Sequence, residues 1–411
     1  MKNLLTTLTL WCGFVLLFGA CSDSDENLVI PDAKPISLRA GMEQKVVQDN
    51  DFAFDLFKTA YRFDTESNVF VSPLSVSMCL SMVLNGAYGE TRTEIENALH
   101  ISGFSSDEIN DYCKTLREAL LSVDPSTKIA IANSIWNRSG FPVKQDFLQI
   151  NKINFNAEIK EVDFNHPNTV KQINNWCAEN TQNKIPEILN NIPGDAIMYL
   201  INAVYFKGIW CSKFDKNATS DNDFYAGDHV LKVPMMNQNS DFNYFSGEDA
   251  DYLELPYGNK AFSMITMLPH EGKTIDEVMS NLNNDNWNTA LSGMRLANVN
   301  LRLPKFKTEC EYKLHEYILP DMGMRIPFTD LADFSGISTM PVSISQVIHK
   351  TFVEVNEEGT EAAAVTAVEV VTTSIKPDPV TVNYIVDRPF IFAIREKSTR
   401  VILFIGKIEK P

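Results

Sequence analysis

The sequence is poor in basic residues and histidine, and it lacks the common catalytic motifs. Its 411 residues carry 36 Lys and Arg against 53 Asp and Glu, and the net charge of −17 argues against nucleic acid or anionic membrane as a direct partner. The six histidines are scattered, with none in an HExxH spacing, and GxSxG, P-loop and GxGxxG motifs are absent. None of these motifs points to catalysis, and we expect neither a metal nor another cofactor.

An apolar run at the N-terminus indicates targeting. Lys2 precedes the nearly apolar run 4–18, which is too short to span a membrane comfortably and ends in Gly19-Ala20. Cys21 follows at once, and Phe18-Gly19-Ala20-Cys21 resembles a bacterial lipobox, in which the cysteine is diacylated after cleavage. An ordinary signal peptide followed by a coincidental cysteine is the alternative.

These features divide the chain into three parts. Residues 1–20 are predicted to be a lipoprotein-type signal peptide, residues 21–48 a flexible tether, and residues 49–411 one domain without repeats or a Pro/Gly linker. Two acyl chains suffice for stable anchoring. We expect a secreted protein anchored to the outer membrane or cell surface through its lipid alone; a periplasmic or extracellular location is the alternative.

Cysteine is too scarce and too irregularly spaced to build a framework. If Cys12 is removed with the signal peptide and Cys21 is lipidated, the cysteines that remain are Cys79, Cys113, Cys177, Cys211 and Cys310. Their number is odd and no CxxC spacing occurs, which argues against disulfides or a metal site. Buried free thiols are expected instead.

Hydrophobic periodicity predicts an α+β domain whose helices crowd the first half and whose strands crowd the second. The predicted helices span residues 51–62, 74–88, 94–99, 107–121, 144–154, 169–181, 275–282, 284–291 and 312–322. The predicted strands span residues 129–137, 157–164, 198–206, 230–236, 241–246, 252–256, 262–268, 298–303, 347–355, 380–386, 390–394 and 401–408, with a short strand before Ser72.

The stretch 356–374 is consistent with two structures. Its glutamates and alanines favour helix, whereas its threonines and valines favour strand. In a strand, one face would hold only small or apolar residues, namely Thr360, Ala362, Ala364, Thr366, Val368 and Val370. Such a stretch can enter a sheet with its uncharged face toward a core. An amphipathic helix is the alternative, although Gly359 interrupts its start.

Ser72, Asn202 and His349 also permit two interpretations. They could form a serine–histidine pair with an amide that orients it, as in a hydrolase. Ser72, however, stands at a helix cap before Pro73, and Asn202 stands in the middle of a predicted strand. A polar network that locks a core is the better interpretation.

Several stretches, taken together and in order, resemble the serpin family. They are 68–75 (NVFVSPLS), 86–91 (GAYGET), 202–210 (NAVYFKGIW), 303–306 (LPKF), 349–364 (HKTFVEVNEEGTEAAA), 388–390 (RPF) and 403–406 (LFIG). The resemblance covers about residues 50–411. It implies an α+β fold of three sheets and eight or nine helices, with a five-stranded main sheet and an exposed reactive loop.

The resemblance also implies a mechanism. A target protease attacks the loop, an acyl-enzyme forms, and the cut loop inserts as a new central strand that drags the tethered protease away. The hinge of inhibitory members is matched by Glu357, Gly359, Thr360, Glu361, Ala362, Ala363, Ala364, Thr366 and Ala367. Counting from Gly359 puts the scissile bond at Thr373–Ser374, with Thr372–Thr373 as the runner-up.

Other positions match the family where the main sheet parts. Ser72, Ser75, Asn202 and His349 match a polar cluster under the sheet, Trp210 matches the tryptophan where insertion begins, and Lys305 matches the partner of Glu357.

The implied partner is a target protease bound covalently to a monomeric inhibitor. A threonine before the scissile bond suits elastase-like or subtilisin-like serine proteases, and some papain-like enzymes tolerate it. Lys376 is a poor site for a trypsin-like protease because Pro377 follows it. A non-inhibitory serpin that acts as a binding or carrier module is the alternative.

Overall fold

The computed structural model describes residues 33–64, 68–101, 103–360 and 381–411. Helices in these ranges are α1 Glu43–Phe63, α2 Pro73–Leu84, α3 Gly89–Ala98, α4 Ser106–Ser122, α5 Gln145–Phe155, α6 Thr169–Asn180, α7 Ile275–Asn281, α8 Asn284–Gly293 and α9 Ile318–Asp321, with 3₁₀ turns at Lys216–Ala218 and Ile326–Phe328. No helix of the described ranges is both long and apolar enough to cross a bilayer.

The same ranges contain fifteen strands. They are β1 Val69–Val71, β2 Lys128–Arg138, β3 Glu158–Val162, β4 Met198–Ile209, β5 Ser220–Ala226, β6 His229–Ser246, β7 Ala250–Pro256, β8 Phe262–Pro269, β9 Arg295–Pro304, β10 Phe306–Lys313, β11 Ile348–Asn356, β12 Gly359–Thr360, β13 Thr381–Ile385, β14 Phe390–Glu396 and β15 Ile402–Ile408. The α+β class is confirmed.

The main sheet has the strand order β10-β11-β12-β4-β2-β3. Five of these strands form the main sheet that the family resemblance implies. The sixth, β12, has only two residues and is antiparallel to both β11 and β4. No backbone ladder in the described ranges joins β4 directly to β11. β12 therefore fills one end of a gap between these two strands, and we call this gap the parting of the sheet.

The other strands follow the order β1-β15-β14-β8-β7-β6-β9-β13, with β5 paired to β6. Two smaller sheets were expected here, and they are joined by hydrogen bonds because β6 is 18 residues long. Its first part pairs with β5, and its later part pairs with β9 and β7.

Hydrophobic residues pack on both faces of the main sheet because strand side chains alternate. On β4, Val204 and Phe206 join the large core that also contains α2. Tyr199, Ile201 and Ala203 point the other way and pack with α6 in a smaller core. Asn202 has the same parity as Val204, so it lies on the α2 side.

The start of the domain differs from the expected tether up to Gln48. α1 begins at Glu43, and Met42 and Val46 are buried in the core. The Ala33 N–H donates to the Asn259 carbonyl at 3.1 Å, and the Ile36 N–H donates to Ser398 Oγ at 2.9 Å. Residues 33–48 therefore pack against the domain. Their few apolar side chains contact its core, and sequence composition alone does not indicate these contacts.

The predicted helix 312–322 is wrong over its first half. Residues up to Lys313 belong to β10, which pairs with β11 from Phe306↔Val355 to Lys313↔Ile348, and α9 has only four residues. In β10 the buried Phe306, Thr308 and Cys310 alternate with exposed charged residues. That two-residue period predicts a strand.

Candidate functional site

The chain reverses direction where β11 passes into β12, and we call residues 356–360 the hinge turn. The Glu358 N–H donates to Asn356 Oδ1 at 3.0 Å, which closes the turn. Gly359 then pairs with Asn356 on one side and with Ile209 on the other. The turn thus delivers the next residues between β4 and β11.

Gly359 is required by two features of its position. Its φ of 153° is one that residues with a side chain rarely adopt. A Cβ there would collide with the Gly208 carbonyl oxygen and lie 2.9 Å from Ile209 Cα. Only glycine lets the hinge turn approach β4 this closely.

Trp210 hydrogen-bonds to the hinge turn through both its side chain and its backbone. Its indole Nε1–H donates to the Asn356 carbonyl at 2.9 Å, and its backbone N–H donates to the Glu358 carbonyl at 2.9 Å. Its ring stacks on Tyr257, with 4.4 Å between ring centroids and 13° between planes. The Tyr257 hydroxyl in turn lies 2.5 Å from Thr360 Oγ1.

Two glutamates of the hinge turn are held by lysines. Glu357 Oε2 lies 3.0 Å from Lys305 Nζ, and Thr219 Oγ1 donates to Glu357 Oε1 at 2.9 Å. Burial pushes the pKa of the Glu357 carboxyl upward, but a backbone N–H, the Lys305 ammonium and Thr219 outweigh it, and the net pKa is lowered. Glu357 is therefore ionised at neutral pH.

Glu358 makes a second set of ion pairs. Its carboxylate oxygens lie 2.8 Å from Lys213 Nζ and 3.0 Å from Lys216 Nζ. Hydrogen bonds from these two ammonium groups lower the pKa of the Glu358 carboxyl. Three lysines thus fix the charged half of the hinge turn.

The polar cluster under the sheet joins β11 to the start of α2. The Ser72 N–H donates to His349 Nε2 at 2.9 Å, and Ser72 Oγ donates to the Leu403 carbonyl at 2.9 Å. Ser72 Oγ also accepts from the Ser75 N–H at 3.4 Å, so Ser72 caps α2 as predicted.

This geometry argues against a hydrolase. A general base must reach the proton of the nucleophile's hydroxyl. His349 contacts the backbone N–H of Ser72, and the Ser72 hydroxyl donates to a carbonyl that cannot act as a base. The pair is part of a structural network.

Asn202 does not join that pair. Its Nδ2 donates to Asn133 Oδ1 at 2.7 Å across the β2–β4 ladder, and its buried Oδ1 has no hydrogen-bond partner among the described residues. Ser75, Asn202 and His349 nevertheless line one cavity of ≈ 350 Å³ that extends from β4 to β11. The structure thus brings three of the four predicted cluster residues to the parting of the sheet.

His349 makes the stability of the fold depend on pH. Burial lowers the pKa of its imidazole from 6.5 to about 4, so the unfolded chain binds a proton at a pH where the folded chain does not. The stability contribution of neutral His349 is complete above pH 6.5 and is lost as the pH falls from about 6.5 to about 4, by about 3 kcal/mol in total.

Urea unfolding between pH 7.5 and 4 checks this slope. The variant His349→Gln keeps an acceptor for the Ser72 N–H and should flatten the slope over this range. The variant His166→Gln removes an exposed histidine and should retain it. Equal slopes in all three proteins would contradict the assignment.

Several predicted positions lie outside the described residues. They are Cys21, Glu361, Ala362, Ala363, Ala364, Thr366, Ala367, Thr372, Thr373 and Ser374. Sequence reasoning missed Tyr257, Thr219, Lys213 and Lys216. Tyr257 carried a weak signal, an aromatic residue next to Gly258 at the end of a strand, but nothing in the sequence connects it to Thr360.

The cysteines of the described ranges are free thiols. Cys113, Cys177 and Cys310 are buried, whereas Cys79 and Cys211 are half-buried. Burial raises the pKa of the Cys113 and Cys177 thiols to about 12, so they are protonated and unreactive at neutral pH. No cluster of three potential metal ligands occurs within the described part of the chain.

Comparison with known proteins identifies the family. A family model described as Serpin (serine protease inhibitor) matches residues 47–411. The chain is 35% identical over 385 residues to the leukocyte elastase inhibitor of Bos taurus, covering 90% of this chain and 100% of that protein. It is 36% identical over 393 residues to an uncharacterized serpin-like protein of Thermococcus kodakarensis, covering 94% and 91% of the two chains.

A solved structure agrees with the sequence relatives. The thermophilic serpin Tengpin, in its native state, superposes with a TM-score of 0.81 at 34% identity, covering 92% of this chain and 97% of the other. The chain belongs to the serpin family, and the α+β serpin fold expected from its sequence is confirmed.

Proposed function

We propose that this protein is an irreversible suicide-substrate inhibitor of serine proteases. The observation that carries the proposal is β12, since Gly359 and Thr360 lie as a strand between β4 and β11. A cut loop would extend that strand along the parting, where it would find unpaired strand edges. The cavity lined by Ser75, Asn202 and His349 lies along the same parting and supports this path for the cut loop.

The proposed target class is elastase-like or subtilisin-like. The threonine before the proposed Thr373–Ser374 bond is small and β-branched, which suits a shallow pocket for the residue before the cut. The similarity to the bovine leukocyte elastase inhibitor supports the same class. Papain-like cysteine proteases are a secondary class that tolerates this residue.

A protease trapped as an acyl-enzyme should survive denaturation. We expect a covalent band on denaturing gels after incubation with pancreatic elastase. Mass spectrometry of the released C-terminal peptide should show that this peptide begins at Ser374. A peptide that begins at Thr373 would assign the cut to the runner-up bond. Cleaved inhibitor together with free, active protease would contradict the proposal and favour a binding or carrier module.

We also propose that the mature chain begins at a diacylated Cys21 and is held at the outer membrane or cell surface. Support comes from the residues Phe18-Gly19-Ala20-Cys21 alone. Labelling cells with a fatty acid analogue should mark the wild-type protein and leave Cys21→Ser unmarked. Equal labelling of the two proteins, or none of the wild type, would contradict the anchor.

A further inference from the structure

Besides the contacts described above, a buried pair of hydroxyl groups connects the hinge turn to the rest of the fold. Tyr257 Oη and Thr360 Oγ1 lie 2.5 Å apart, and the two residues are 0% and 2% exposed. In the described part of the chain neither hydroxyl makes another hydrogen bond. Withdrawing Thr360 from the sheet would therefore leave the Tyr257 hydroxyl buried and unpaired, which is unfavourable.

Tyr257 is itself held firmly against β4. Its ring stacks on Trp210 and meets Phe206 edge-on, with 5.2 Å between ring centroids and 68° between planes. A Cβ on Gly208 would lie 2.7 Å from the Tyr257 ring, so the absence of a side chain there lets the ring cover β4. Gly208 is also the residue that pairs with Thr360.

We propose that Tyr257 is a positioning residue for loop insertion, because its hydroxyl holds Thr360 between β4 and β11 before the loop is cut. This inference rests on the proposed inhibitory function. With Gly359 and Thr360 already paired, the inserting strand grows from an ordered start and does not have to form its first contacts. Each residue ordered in advance removes part of the conformational entropy cost of insertion.

An ordered start for insertion improves inhibition because the acyl-enzyme has two possible fates. Insertion competes with hydrolysis of the acyl bond, and hydrolysis yields cleaved inhibitor and free protease. Slower insertion therefore raises the ratio of cleaved inhibitor to covalent complex. Burial raises the pKa of the Tyr257 hydroxyl, so the group remains protonated and able to donate throughout the ordinary pH range.

The chain supplies a matched control for a merely structural effect. Thr266 Oγ1 and Tyr384 Oη form a similar buried hydroxyl pair at 2.9 Å in the nine-stranded sheet. The variant Tyr384→Phe removes this hydrogen bond, and also the one that Tyr384 Oη donates to the Asp251 carbonyl at 3.2 Å, without touching the hinge turn. A general loss of stability would appear in this variant as well.

The test compares wild type, Tyr257→Phe, Thr360→Val, the double variant and Tyr384→Phe with pancreatic elastase as the probe. We expect the ratio of cleaved inhibitor to complex to rise about fivefold in each single hinge variant, which is the factor expected for one buried hydrogen bond. The double variant should show no further rise, and Tyr384→Phe should match wild type. Unchanged ratios in the hinge variants, or an equal rise in Tyr384→Phe, would overturn the proposal.

Amide hydrogen exchange in the uncut protein separates this inference from the proposed function. The Gly359 and Thr360 amides should exchange about fivefold faster in Tyr257→Phe than in wild type. Unchanged exchange would overturn the positioning role even if wild type traps the protease. Faster exchange in a protein that never forms a complex would support the hold on Thr360 while refuting the inhibitory function.

Discussion

The Thr360→Arg variant is expected to be cut by its target protease without trapping it. Thr360 is 2% exposed and pairs with both β4 and β11, with its hydroxyl against Tyr257. An arginine there would bury an unpaired charge, which costs more than the roughly 1–3 kcal/mol of an unpaired neutral polar group. Because 1.4 kcal/mol is a factor of ten, the yield of covalent complex should fall by at least about tenfold.

Denaturing gels and residual protease activity measure this outcome. The variant Thr360→Ser keeps the hydroxyl and a small side chain, so it should retain complex formation close to that of wild type. The rate at which the loop is cut should be similar in all three proteins. A Thr360→Arg variant that traps protease as well as wild type would show that this residue does not enter the sheet.

The Glu357→Lys variant is expected to lose much of the stability of the native fold. Glu357 is 6% exposed, and the substitution would place two ammonium groups together beside Thr219. Breaking a buried ion pair costs about 3–5 kcal/mol. Because Lys305 is 37% exposed and partly screened by solvent, we expect a loss of about 2 kcal/mol.

The Glu357→Lys variant should also aggregate more readily than wild type. If the hinge turn detaches, β4 and β11 present open edges that can accept a strand from another molecule, and aggregation should increase. Urea unfolding and size-exclusion chromatography after mild heating measure the two effects.

A charge swap isolates the contribution of the ion pair. The double variant Glu357→Lys/Lys305→Glu should recover part of the loss, whereas Glu309→Lys, an exposed change on β10, should remain close to wild type. An unaltered unfolding curve for Glu357→Lys would contradict the role of the ion pair.

The fold could be predicted largely from the sequence, because its signals are local. Alternation along β11 and the Ser72-Pro73 cap of α2 both appear in the structure near their predicted positions. The helix predicted over 312–322 failed at its start because only Tyr312 and Lys313 of that range belong to β10, too few to show its two-residue period, and the pairing with β11 extends the strand through them. Propensity is weak where tertiary pairing decides the outcome.

The candidate site was harder to predict because its contacts join residues that are distant in the chain. The Glu357–Lys305 pair was expected from the family resemblance, and the two side chains are within ion-pair distance. Asn202 was grouped with Ser72 and His349, yet it hydrogen-bonds to Asn133, because register places those two residues opposite each other. Such register is set by whole strands and is invisible at a single position.

The melting temperature before and after a single cut in the stretch 361–380 tests the central claim most directly. If the uncut chain is held above its lowest free energy and the cut segment completes the parted sheet, the cut protein should melt higher by about 10 °C or more. Each added ladder hydrogen bond is worth about 0.5–1.5 kcal/mol, and each kcal/mol shifts the midpoint by roughly 2–4 °C in domains of 150–250 residues. A cut protein that melts at the same temperature as the intact one, or lower, would contradict the inhibitory mechanism.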